Sequence, residues 1–303
     1  MISPDLAFDL SLIMLLLGLA VAAIHTPRLY TAVVLFIVFG LMLALTWARL
    51  GAMDLALAEA AIGAGLLGVM LLGALDRSAA APAQPARPVQ RAASLVLGCM
   101  LLLLLGQAVL PLPEATSPLP GQVMLALETS GVSHPVTAVL LNFRAWDTLL
   151  ELVVLLLALL GVRQLRPRAR ALPLAWPLLS AWSRVLAPLA VMVGGYLLWR
   201  GSHAPGGAFQ AGAVLAAGAV ILRLAGILPR VGWQQWPLRA LVLLGVALFS
   251  LVAAASAWLG EGWLVYPVAW SGGLILLIEI AATLSIAAAL TLLVIGDTEE
   301  LAA

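Results

Sequence analysis

Nine apolar windows, at residues 6–25, 29–48, 53–75, 92–110, 137–163, 180–199, 207–227, 237–257 and 270–295, leave this chain few ways to fold. A helix needs about 20 apolar residues to cross a hydrocarbon core about 30 Å thick. Inside that core every backbone N–H and C=O must be paired within the protein. The windows therefore predict an all-α integral membrane protein with about nine transmembrane helices. Composition agrees: 64% of the 303 residues are hydrophobic and 10% are charged, against about 25% charged in soluble domains. Mean hydropathy is +1.13, and no stretch is long and polar enough for a soluble domain.

All 15 basic residues are arginine and the net charge is +1, a balance that argues against a nucleic-acid partner and leaves membrane lipid as the surroundings. Arginine placement predicts orientation. Arg28, Arg77, Arg87, Arg91, Arg163, Arg166, Arg168, Arg170, Arg184, Arg223, Arg230 and Arg239 fall at one set of alternating helix ends, and Arg49, Arg144 and Arg200 at the other. The positive-inside rule then puts the N-terminus outside and the C-terminus in the cytoplasm, in a multi-pass protein of the inner membrane. Nine tryptophans, from Trp47 to Trp270, lie near the window ends as an aromatic belt. The first window opens on Asp5 and Asp9 with no basic residue, unlike a signal peptide, and reads as a retained helix. The lone Cys99 excludes a disulfide framework and reads as a packing residue.

Two linkers punctuate the chain. Residues 76–91, rich in Ala, Pro and Arg, read as a cytoplasmic loop. The basic, Pro-bearing stretch 163–177 reads as a boundary between halves. The outer loop 111–131 holds a short segment, 123–127, suited to the interface. No internal repeat is evident.

Acids within the windows cost about 2.5–3.5 kcal/mol each in lipid on insertion scales, so they must face protein or water. The 137–163 window carries Asn142, Arg144, Asp147, Thr148 and Glu151. Asp147 and Glu151 are four apart and share a helix face, which Arg144 joins three residues before Asp147. Counted from Arg163 at the inner interface, Glu151 stands about 18 Å and Asp147 about 24 Å up the helix. An Arg144–Asp147 ion pair would neutralise itself and leave Glu151 unpaired near the membrane middle.

In the 53–75 window Asp54 is placed to cap the helix. Glu59, with Gly63, flanks a stripe of Ala56, Ala60, Ala64 and Gly68 that admits a close helix neighbour. Glu59 fits either a protonatable or ion-coordinating group or a buried acid neutralised by an arginine elsewhere. Glu279 lies ten residues into the last window at a depth like that of Glu151. Acids at membrane depth on three helices are what a proton or cation path needs. These residues mark no definite metal site; Na⁺ near Asp147, Glu151 and Glu59 is a candidate that the resemblance given below implies.

The loop Arg200-Gly201-Ser202-His203-Ala204-Pro205-Gly206-Gly207 reads as a tight turn starting a helix. No Lys-Ser/Thr follows its glycines, so nucleotide binding is not expected. His203 could shuttle protons, although a lone loop histidine is more often structural. No redox ligand set or other cofactor site is evident, and no catalytic motif marks an enzyme.

These stretches resemble subunits of the Mrp-type multisubunit cation/proton antiporters and the related membrane modules of energy-converting hydrogenases. The Asp54–Gly65 run resembles the A-x-D-x-A-x-x-E-A-x-x-G helix in the C-terminal extension of the large antiporter subunit. Residues 142–151 resemble the N-x-R-x-x-D-T-x-x-E segment that follows it there, and residues 201–212 resemble the glycine loop of the small MnhB-type subunit. The pattern departs at Ala58, where the family often has Thr, at the displaced His203, and at Ala208 and Ala211 in place of glycines.

The resemblance implies residues 1–165 as the large-subunit-like region with five helices, 166–179 as a basic linker and 180–303 as an MnhB-type domain with four. The antiporter-like portion of the large subunit is missing from the sequence, so the resemblance implies other Mrp-like membrane subunits, including antiporter-like large ones, as partners. A soluble enzyme module is a further partner it admits. The function so implied is a share in Na⁺ or H⁺ translocation. Glu59, Asp147, Glu151, Glu279 and Asp54 would carry the ion, and Arg144, Thr148 and His203 would tune or gate. The alternative is a structural adaptor that docks a soluble enzyme to antiporter-like subunits without an ion path of its own.

Overall fold

The computed structural model describes residues 3–78, 88–111, 118–165, 177–229, 232–259 and 262–296. Among them every regular element is helical. Helix α1 (Pro4–His25) starts at Pro4, whose fixed φ suits the first turn, and the Ser3 hydroxyl accepts from Leu6 N at 3.2 Å. Helix α2 (Leu29–Arg49) returns beside it. Arg49 closes the hairpin on the far side, 2.9 Å from Asp5 and 2.8 Å from Asp9.

The third span is composite: α3 (Met53–Ala58), a π-helical stretch Glu59–Leu66 and α4 (Leu67–Ser78). Helix α5 (Pro88–Val109) stands on the outside with its described side chains exposed along nearly all its length. Cys99 is exposed there, a correction to its reading as a packing residue. Helix α6 (Leu119–Ala126) covers most of the short segment expected at 123–127.

The 137–163 window is not one helix. Helix α7 (Pro135–Ala138) runs into a π-helical stretch Val139–Phe143, Arg144 leaves helical geometry (φ −129°, ψ 36°), and α8 (Ala145–Gln164) begins after it. Buried Thr148 bridges the break by donating to Leu140 O at 2.7 Å. Helices α9 (Pro177–Arg200), α10 (Ala208–Leu224), α11 (Trp236–Trp258) and α12 (Ser271–Ile295) complete the order.

Eight spans among the described residues are long and apolar enough to cross a membrane. The 207–227 window is shorter than expected, with 17 helical residues in α10. Gly207 (φ +108°) and Gly226 (φ +71°) break the backbone just beyond each end, and about 25 Å of helix remains. The linker residues 79–87 and 166–176 lie outside the described residues, as do Arg87, Arg166, Arg168, Arg170 and Arg230.

Helix α12 is the core. It packs against α8, α10 and α11 and buries residues from Ser271 to Leu290. Small residues set these approaches, as lipid-embedded helices require. A Cβ on Gly212 of α10 would stand 2.7 Å from Ile286, and one on Gly245 of α11 would stand 2.9 Å from the Ser285 Cβ. Ser285 also donates to Val242 O across the α11–α12 contact. The expected stripe works the same way: Ala64 and Gly68 are buried, against Gly40 and Ile37 of α2.

Candidate functional site

The glycine loop between α9 and α10 folds back on the end of α9. Gly201 N and Gly207 N both donate to Leu197 O, at 3.1 and 2.9 Å. A Cβ on Gly201 would stand 2.7 Å from the Gly207 Cα, and one on Gly206 2.5 Å from Leu197 O. Only glycine fits so close a backbone crossing, and Gly207 also needs positive φ. The tight turn read from Pro-Gly-Gly is therefore present, with α10 starting at Ala208.

Two other segments dock on this loop. The chain entering α7 donates from Ser133 N (3.0 Å) and His134 N (3.2 Å) to Ser202 O, and Thr137 Oγ1 donates to Gly201 O. From α3, Asp54 accepts from His134 Nε2 at 2.9 Å and from Gly206 N at 3.1 Å. Gln210 Nε2 donates to Asp54 O at 3.4 Å. The N-cap of α3 is Ala52, which corrects the capping role expected of Asp54. Its carboxylate turns outward from the helix because a histidine and a free loop N–H satisfy it better than its own first turn. One aspartate thus ties α3, the α7 entry and the glycine loop together.

Glu279 lies beneath the loop, 1% exposed and about two turns into α12. Its Oε1 comes within 3.0 Å of where a Gly201 Cβ would stand and 3.3 Å of where a Gly207 Cβ would. Its Oε2 has no partner among the described residues. Thr283 Oγ1, also buried, has none either, and four residues on it lies on the same face of α12. Two unsatisfied polar groups one turn apart are rare in a packed interior.

The remaining expected residues lie elsewhere. Glu59 folds over Gly63, with Oε1 3.3 Å from where a Gly40 Cβ would stand. Arg144 pairs with Asp147, the arginine exposed and the aspartate half-buried. Glu151 is exposed one turn further along α8. His203 is exposed on the loop with its ring 5.9 Å from that of Trp199. Among the described residues no three of His, Cys, Asp or Glu form a metal-binding group, so Asp147, Glu151 and Glu59 do not converge on one. The structure thus joins Asp54 and Glu279 to the loop, leaves Asp147 and Glu151 apart from it, and turns the loop's own His203 outward.

Sequence reasoning missed His134 and Gln210. His134 stands just before Pro135, at the start of an apolar run, where a cap or a ligand belongs. Gln210 is an amide in the first turn of an otherwise apolar helix.

Residues 14–80 match the MbhD family, described as a subunit of MBH, and residues 178–297 match the domain related to the MnhB subunit of the Na⁺/H⁺ antiporter. Among solved structures, the chain is similar to one in the Mrp complex from Dietzia sp. DQ12-45-1b, at 26% identity and a TM-score of 0.80 over 98% of its length. It spans 36% of that chain. It also shares its fold with a chain of the membrane-bound sulfane sulfur reductase, an archaeal respiratory membrane complex, at 24% identity and a TM-score of 0.54, covering 68% of this chain and 97% of that one. No curated protein sequence matches it.

Proposed function

We propose that the chain, which matches the MbhD family over residues 14–80 and the MnhB-related domain over residues 178–297, works as a subunit within an Mrp-like membrane complex and carries part of its Na⁺ or H⁺ path through Glu279. One observation carries this reading: a carboxyl 1% exposed in the central helix, with Oε2 unpartnered. An ionised carboxylate there loses its hydration and has no arginine to offset it among the described residues, so a proton or a bound cation must balance it. A group that needs one or the other is suited to passing ions on. Asp54 and His134 stand at the loop that covers it, joined by a hydrogen bond of 2.9 Å.

Asp147, Glu151 and Glu59 supply further acids at membrane depth on neighbouring helices, and Arg144 and Thr148 fix the start of α8. The large-subunit-like part is placed at 1–165, the MnhB-type part at 180–303 and the join at 166–179. The N-terminus is placed outside, on the arginine distribution. Partners in this reading are other Mrp-like membrane subunits, antiporter-like ones among them, with a soluble module as a further candidate.

Glu279→Gln preserves size and much of the hydrogen bonding while removing the charge. Na⁺/H⁺ exchange in everted vesicles holding the assembled complex should fall at least about tenfold, the scale of a lost proton-transfer group. Wild-type exchange in an intact complex would remove Glu279 from the path and leave the adaptor reading standing.

A further inference from the structure

We propose that the outward face of α8, centred on Glu151, is the docking surface for a transmembrane helix of another polypeptide that presents a lysine or arginine to it. The proposal rests on the reading that the chain works within a complex, though not on Glu279 carrying ions. Glu151 is exposed near mid-depth, with Leu150, Val154 and Leu157 exposed around it. It makes no ion pair among the described residues. Arg144 is committed to Asp147, and Arg163 lies twelve residues, about 18 Å, away along the helix.

Lipid cannot be the cover, because an uncompensated carboxylate facing hydrocarbon is among the costliest placements a helix can make. Residues 92–109 of this chain carry no charge, so α5 has no cation to bring to that depth. A second copy related by a two-fold axis would set Glu151 against itself, like charge on like. A cation on a helix from a different polypeptide meets the requirement.

Shape supports the same occupant. Ala158 and Gly161 continue the exposed face, and a Cβ on Gly161 would meet nothing within 4 Å. The glycine is therefore not needed for packing inside this chain. It leaves room for another backbone to come close.

The test uses the complex isolated from its native membrane. A photo-crosslinking benzoylphenylalanine at Val154, one turn from Glu151, should capture a transmembrane peptide of another polypeptide that contains Lys or Arg. Capture of lipid alone, of residues 88–109, of a second copy, or of a helix without a basic residue overturns the proposal. In parallel, Glu151→Lys should cut co-purification of the other membrane subunits at least about tenfold and Glu151→Gln about two- to threefold, as expected for repulsion against simple loss of a pair. Undiminished co-purification of Glu151→Lys overturns it as well. If that variant is not recovered at all, the crosslink in the wild-type background decides. Loss of exchange in Glu279→Gln alongside a failed crosslink would reject the interface and keep the ion path.

Discussion

The glycine loop over α12 and the exposed stripe of α8 each hold acids in apolar surroundings, yet they satisfy them in opposite ways. Asp54 finds a histidine and a backbone N–H from elsewhere in the same chain, and Glu279 is enclosed by the chain's own glycines. Asp147 has only an arginine three residues before it, and Glu151 has no counter-charge among the described residues. The first region is enclosed within one polypeptide, with Glu279 Oε2 left without a partner among the described residues. The second is half of something. Charge at depth does not by itself mark a site; what decides is whether the compensating group belongs to the same chain.

The contrast can be broken most sharply at Gly201. Gly201→Ala drives a Cβ to 2.7 Å from the Gly207 Cα, backbone against backbone, and should cost about 3 kcal/mol or more. It would be read as a large fall in the melting temperature of the detergent-solubilised chain. A wild-type melt would mean that the loop does not need its crossing.

Next in size is His134→Ala, which leaves the Asp54 carboxylate with Gly206 N alone. We expect a loss of about 2 kcal/mol, within the range for stranding a part-buried charge. Asp54→Asn should do less, since an amide can still accept from Gly206. A reversed order would show that the Asp54 charge, rather than its pairing with His134, organises the joint.

Thr148→Val removes one hydrogen bond across the Arg144 break and should cost about 1 kcal/mol. Smallest of all, His203→Ala removes an exposed ring from beside Trp199 and should stay within about 0.5 kcal/mol, with exchange unchanged. A strong effect of His203→Ala on exchange would return that histidine to the path. It would also blur the line between the enclosed region and the exposed one.

Much of this was legible beforehand. Apolar windows located the spans, the stripe from Ala56 to Gly68 anticipated the tight contact with α2, and Pro-Gly-Gly marked the turn before α10. The reading failed where a residue's partner lies far along the chain. Asp54 looked like a cap because capping is a local rule, and His134 is 80 residues away. Cys99 looked like packing because an apolar neighbourhood in a membrane helix does not say whether lipid or protein adjoins it. The break at Arg144 was hidden because none of its neighbours is a glycine or proline, the usual signs of interruption.

The π-helical stretches Glu59–Leu66 and Val139–Phe143 carry a consequence for how such a chain can change. A wider turn accommodates a residue beyond the α-helical count, and each residue turns the helix about 100°. All that follows is therefore rotated by more than a quarter turn relative to a regular helix. Deleting one residue within 59–66 would restore α-helical winding and swing the face of α4 away from Ile37 while leaving α3 in place. Gain or loss of a single codon is thus enough to re-aim one half of a span while the other half keeps its neighbours.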